Sequence, residues 1–169
     1  MPEQETMQEW MKIAQPGKEH DLLARQAGEW KMTMRAWMSP NDPPMEGDGT
    51  SIVKSLLGGR ILTEEVHAHF GDMPFEGFGT KGHDNFHNKW WQTWTDWMTT
   101  LYYAEGTASA DGKTVTMFGT ADRPEQNRKN VERKTVNRFL DDNHHVFEMY
   151  EKGRDGKEIK MFEIDYRRK

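Results

Sequence analysis

Gly28-Glu29-Trp30-Lys31-Met32-Thr33-Met34-Arg35-Ala36-Trp37 is the stretch that decides the fold. Trp30, Met32, Met34 and Ala36 recur at period two, with Lys31, Thr33 and Arg35 between them, which describes a strand with one dry face and one wet face. Everything before this stretch reads as helix and everything after it reads as strand.

Upstream, Met7, Trp10, Met11 and Ala14 fall at i, i+3, i+4 and i+7, so Glu3 to Ala14 is expected to form an amphipathic helix ended by Pro16-Gly17. A second short helix is expected over Glu19 to Ala27, with Leu23, Ala24 and Ala27 on one side. Residues 1–27 are therefore read as a helical segment closing one end of a domain that occupies residues 28–169.

Downstream, strands are expected over Gly47 to Leu56, Ile61 to Phe70, Phe75 to Asp84, Asn88 to Met98, Thr99 to Ser109, Lys113 to Ala121, Val131 to Leu140, His145 to Lys152 and Glu158 to Arg167. Asp111-Gly112 suits a type I′ hairpin turn. On the strand from Ile61, Leu62, Val66, Ala68 and Phe70 share one face, while Thr63, Glu65, His67 and His69 share the other. Trp90, Trp91, Trp94 and Trp97 occupy both faces of their strand, so alternation does not say which is inside. About ten short strands at this spacing, without long crossovers, form an antiparallel meander. Closing it into an up-and-down barrel removes the exposed edges. The expected fold class is thus all-β, a closed antiparallel barrel of about ten strands with short N-terminal helices.

Composition narrows the function classes. The chain has 169 residues, enough for one domain with a core, and its 34% hydrophobic content is concentrated in 7 Trp, 8 Phe and 12 Met, which argues against disorder. The net charge of −5 is spread along the chain, leaving no basic stripe for nucleic acid and no cationic face for anionic lipid. Cysteine is absent, which removes disulfides, thiolate nucleophiles and Cys-ligated metals. The N-terminus lacks a leader pattern and no apolar run is long enough to span a bilayer, so a cytoplasmic location is expected.

Seven segments, taken in order, resemble a small bacterial family known as domain of unknown function 1579: Gly28-Glu29-Trp30, Gly58-Gly59-Arg60, Met73-Pro74-Phe75-Glu76-Gly77, Gly82-His83-Asp84-Asn85, Trp94-Thr95-Asp96, Glu105-Gly106-Thr107 and Val146-Phe147-Glu148-Met149-Tyr150. The Gly-x-Trp opening of the first strand is also how lipocalin-like (calycin) barrels begin. The resemblance implies a barrel of that kind, and the family has no established activity to carry over. It further implies that Arg168, or failing that Arg167, stacks on Trp30, since calycin-like barrels lay an arginine from the last strand across this tryptophan.

Candidate functional residues follow from polar groups on apolar faces, because an unpartnered buried charge is costly. Odd positions from Val131 to Phe139 place Arg133 inside; the opposite register, with Val136 and Leu140 inside, is equally compatible with the sequence. Trp94, Asp96 and Gln92 share a face and suit a ligand bearing a ring and a donor. Tyr102 and His83 complete the ligand-binding candidates, Gly77 and Gly79 are expected to leave room beside them, and His83, Asp96, Tyr102 and Glu148 form an acid-base set if they converge. His67 and His69 are weak metal candidates, whereas His144-His145 beside a turn is expected to be exposed. The leading expectation is a small apolar or amphipathic ligand inside the barrel, with no cofactor, no nucleic acid and no membrane partner, and with a homodimer left open. A calycin-type isomerase, cyclase or dehydratase and nitrobindin-like haem binding are the alternatives.

Overall fold

The computed structural model describes residues 2–98 and 101–169. Ten strands pair antiparallel and close on themselves: β1 (Gly28–Ala36), β2 (Met45–Leu56), β3 (Ile61–Phe70), β4 (Met73–Asp84), β5 (Lys89–Asp96), β6 (Tyr102–Ala108), β7 (Thr114–Arg123), β8 (Arg128–Asp141), β9 (His144–Lys152) and β10 (Glu158–Arg168). Each strand neighbours the next in sequence, and β1 pairs with β10 to remove the last edge. The expected beginning of the sixth strand at Thr99 lies outside the described residues.

Directly opposed residues in an antiparallel pair point to the same side, so the inner face can be traced around the barrel. Trp30 opposes Ser51, Ser51 opposes Val66, Val66 opposes Gly77 and Gly77 opposes Asp96. Trp94 opposes Tyr102, Gly119 opposes Arg133, and Arg133 opposes Glu151. The core is packed densely around Trp30, Met32, Met34, Leu62, Val66, Val115 and Met117, each no more than 3% exposed.

The helices divide differently from the expectation. α2 (Lys18–Ala24) covers one barrel end, burying His20 and Leu23 against β3 and β4. Its Ala24, expected on the buried side, is exposed. α1 (Pro2–Ile13) forms as the periodicity predicts, but Met7, Trp10 and Met11 are 63%, 65% and 57% exposed and cover nothing. Contacts from the barrel reach the residues at the C-terminal end of α1. The Arg60 guanidinium donates to the Ala14 carbonyl, and the Asn85 amide donates to the carbonyls of Ile13 and Gln15. The place over β3 and β4 at that end is taken by α2.

The hairpin between β6 and β7 also differs from a type I′ turn. Gly112 has φ +69°, whereas Asp111 is not in the positive-φ region that such a turn requires at both central residues. The loop is longer, closed by the Ser109 N–H donating to the Thr114 carbonyl at 2.7 Å, with the Asp111 carboxylate accepting from Ser109 and from the Lys113 N–H.

Candidate functional site

The barrel interior carries two polar groups separated along its axis. Near α2, Glu64 of β3 falls between Leu62 and Val66 on the apolar face, and Lys81 of β4 shares the inner face with Gly77, Gly79 and His83. Their side chains meet at 3.0 Å. The Glu64 carboxylate also accepts from the Ser51 hydroxyl at 2.8 Å and the Tyr166 hydroxyl at 3.1 Å. Burial alone would push this carboxyl up; the Lys81 ammonium and the hydrogen bonds from Ser51 and Lys81 outweigh it and hold it below the ordinary carboxylate range. Every partner of Glu64 is supplied by the protein, which makes this cluster a closure device joining β2, β3, β4 and β10.

At the opposite end lie four of the five expected ligand-binding residues. Arg133 points inward, and Leu140, the marker of the alternative register, is 54% exposed. Its guanidinium donates to Glu151 at 2.7 Å and stands 5.7 Å from the centre of the Tyr102 ring. Glu151, 5% exposed, also accepts from Arg123 at 2.6 Å, so two largely buried guanidiniums share one buried carboxylate. Trp94 lies directly across from Tyr102, and its indole N–H donates to Asp96 at 2.8 Å. Asp96 thereby orients the indole.

Gly77 and Gly79 leave no free room of the kind expected, because the Trp94 indole fills it: a Cβ on either glycine would overlap that ring. Tyr102 stands out among these residues. It is 5% exposed and among the described residues its hydroxyl has no hydrogen-bond partner, while burial pushes that hydroxyl up to about 12. On other strands of the barrel Phe70, Phe147, Met149 and Phe162 face inward yet remain only half-buried, unlike the sealed core nearer α2. Water-sized space therefore reaches them.

The remaining candidates lie elsewhere. His83 is inward but sits towards α2, edge-on to Trp90 and His20 and bonded to Asn85, apart from Trp94 and Arg133. Glu148 faces outward, where Arg138 and Lys160 each contact it at 2.5 Å. His83, Asp96, Tyr102 and Glu148 do not converge on one point. His67 and His69 lie on the outer surface, His67 beside Glu76 at 3.3 Å. Among the described residues no group of three or more His, Asp or Glu side chains is placed to hold a metal ion.

His145 corrects its expected exposure. The register of β9 sets it opposite Tyr166 and Phe139 on the inner face, where it is 4% exposed and stacks on Tyr166 at 4.2 Å. His144, beside it, bonds Asp165 at 2.7 Å. Glu64, Lys81 and Glu151 were legible as polar residues at apolar-face positions; the partners that compensate them were not.

The sequence matches the family described as protein of unknown function (DUF1579) over residues 15–168, which spans α2 and the whole barrel. The chain belongs to the DUF1579 family. α1 lies outside the matched residues, in keeping with a barrel that is complete without it. No curated protein is significantly similar in sequence to this DUF1579 chain.

Among solved structures, the DUF1579 barrel is similar to Rv2717c from M. tuberculosis, at 12% identity and TM-score 0.67, covering 92% of this chain and 99% of that one. That likeness shows the barrel fold. A redesigned β-barrel, b11L5F_LGL, has 13% identity and TM-score 0.44 over 90% of this chain and 96% of its own. EF1p2_mFAP2b bound to DFHBI has 10% identity and TM-score 0.47 over 90% and 100%. Among the described residues of this DUF1579 chain, no helix is long and apolar enough to cross a membrane.

Proposed function

We propose that this DUF1579 barrel binds a small amphipathic molecule in the half of the lumen opposite α2, with an apolar body against Trp94, Phe147 and Phe162 and one anionic or hydrogen-bond-accepting head at Tyr102 and Arg133. The observation that carries this reading is the Tyr102 hydroxyl, buried without a partner among the described residues and beside the Arg133 guanidinium. A buried hydroxyl left unpaired costs about 1–3 kcal/mol, so a ligand oxygen accepting from it recovers that cost. Arg123 is held by both Glu125 and Glu151, and Arg133 presents a largely buried guanidinium beside the Tyr102 ring, a charged donor suited to an anionic or accepting head. The half-buried aromatics supply apolar area at little cost in rotamer freedom. We place this binding in the cytoplasm, on the sequence reading above.

The test is a fluorescence titration with fatty acids, aromatic acids and sterol-like compounds, using wild type, Arg133→Gln and Tyr102→Phe. Saturable quenching by acids that weakens about tenfold in Arg133→Gln, while neutral analogues are unaffected, supports the reading. Absence of saturable binding across the panel overturns it.

A further inference from the structure

A cleft of about 180 Å³ opens at the helix-covered end, between Leu22 of α2 and the turns that follow β6 and β8. α2 packs on β3 and β4; across the barrel mouth its Leu22 meets the Gly112 turn, and the space between that turn and the β8–β9 turn stays uncovered. Neither this cleft nor a second one of about 310 Å³ along Arg128–Glu132 is lined by Trp94, Asp96, Tyr102 or Arg133. It is a separate site.

The floor is aromatic, built from Trp30, Phe139 and His145. The His145 ring is fixed edge-on to Trp30 at 4.6 Å and stacked on Tyr166, and its Nδ1 has no partner. An apolar cavity of about 150 Å³ is enough to admit a benzene ring, so this cleft has room for one ring. The mouth is charged in both signs. Arg25, Lys113 and Asp142 border it, and among the described residues none of their side chains makes an ion pair or hydrogen bond. Asp111 and Asp141, the other acids there, are engaged by the backbone N–H groups of Lys113 and Asn143. Arg25, Lys113 (which also lies in the field of Asp111) and Asp142 around an aromatic floor are complementary to a molecule carrying a ring and both charges.

We infer that this cleft binds a small aromatic zwitterion, of the size of a single aromatic amino acid. The ring lies against Phe139 and the Trp30–His145 pair. The carboxylate meets Arg25 and Lys113, and the ammonium meets Asp142.

Isothermal titration calorimetry with L-phenylalanine, 3-phenylpropionate and phenethylamine tests each part of this assignment. In an Arg133→Gln background, where the lumen head-group partner is removed, saturable binding of phenylalanine is expected, with at least tenfold weaker binding of the two analogues that each lack one charge. Leu140→Trp, which places an indole on the exposed wall of the cleft, should weaken phenylalanine at least tenfold, whereas Phe118→Ala, at an exposed position outside both sites, should leave it unchanged. Equal binding of 3-phenylpropionate or phenethylamine overturns the zwitterion. Binding that survives Leu140→Trp but is lost in Arg133→Gln moves the ligand to the lumen and overturns the site, as does the absence of saturable heat from all three compounds with the folded wild-type protein.

Discussion

The guanidinium carbon of Arg168 lies 4.2 Å from the centre of the Trp30 ring, and the two residues are direct partners across the β1–β10 seam. The same guanidinium donates to the carbonyls of Ala27 at 2.8 Å, Arg25 at 2.6 Å and Asp142 at 3.0 Å, so one side chain ties the chain's last strand to its first, to the end of α2 and to the β8–β9 turn. It also explains the glycine in Gly28-Glu29-Trp30. Gly28 has φ +139°, and a Cβ there would collide with the Arg168 guanidinium.

Arg168→Ala should therefore destabilise by about 2–3 kcal/mol, combining a partly desolvated cation–π contact with lost hydrogen bonds to backbone. Lys169→Ala, at an exposed position, should stay within about 0.5 kcal/mol. Arg168→Lys should recover only part of the loss, since an ammonium lacks the planar fork. Equal melting temperatures for Arg168→Ala and Lys169→Ala would count against the latch.

The Glu64–Lys81 pair should show strong coupling. Removing one member of a buried ion pair leaves the other uncompensated and costs about 3–5 kcal/mol, so Glu64→Gln and Lys81→Met should each be severe. The double variant should cost at least about 1 kcal/mol less than the sum of the singles. Additive losses in urea unfolding at neutral pH would show that the two groups act independently.

Trp94 and the β4 glycines form a single packed unit. Gly77→Ala should displace the indole, shift its fluorescence and cost about 1–3 kcal/mol through overpacking. In a Trp94→Ala background the same substitution should cost far less, because the overlap is gone. A Gly77→Ala penalty that is undiminished without the indole would assign it to the backbone instead.

Burial pushes the His145 imidazole down to about 3, with the Lys81 cation contributing in the same direction. An unfolded histidine titrates near about 6.5, so between these values the unfolded chain binds a proton that the native fold refuses. This contribution to stability is complete above about pH 6.5 and is lost on acidification towards pH 3, by up to about 1.4 kcal/mol per pH unit. His145→Phe keeps a ring on Tyr166 and takes no proton. The stability difference between wild type and this variant should change by about 2 kcal/mol between pH 7 and pH 5, to the disadvantage of wild type. A pH-independent difference would show that His145 takes up its proton as readily in the fold as in the unfolded chain.

Tyr102→Phe removes a buried hydroxyl that has no partner, so it should raise the ligand-free stability by about 1 kcal/mol. It should also weaken binding of acids in the lumen. A loss of stability would reveal a partner for the hydroxyl inside the protein.

Read alone, the sequence determined the barrel: period-two stretches of strand length joined by short turns can pair only with their neighbours, and ten of them close most economically on themselves. It also determined the inner faces of β1 and β3, where Trp30, Met32 and Met34, or Leu62, Val66 and Ala68, alternate with charged residues. Where both faces are aromatic or both mixed, as at Trp90-Trp91 or Arg133-Val136, alternation carries no sign, and only cross-strand pairing with Gly106 and Gly119 chose the inner side. Tertiary structure alone brought Lys81 to Glu64, Glu151 to Arg133 and His145 under Tyr166, since each pair is joined across strands by register and not by sequence spacing. It also decided that α1 stays uncovered. Periodicity makes a helix amphipathic, but which surface receives its apolar stripe is settled by tertiary packing, and here α2 is the helix seated on β3 and β4.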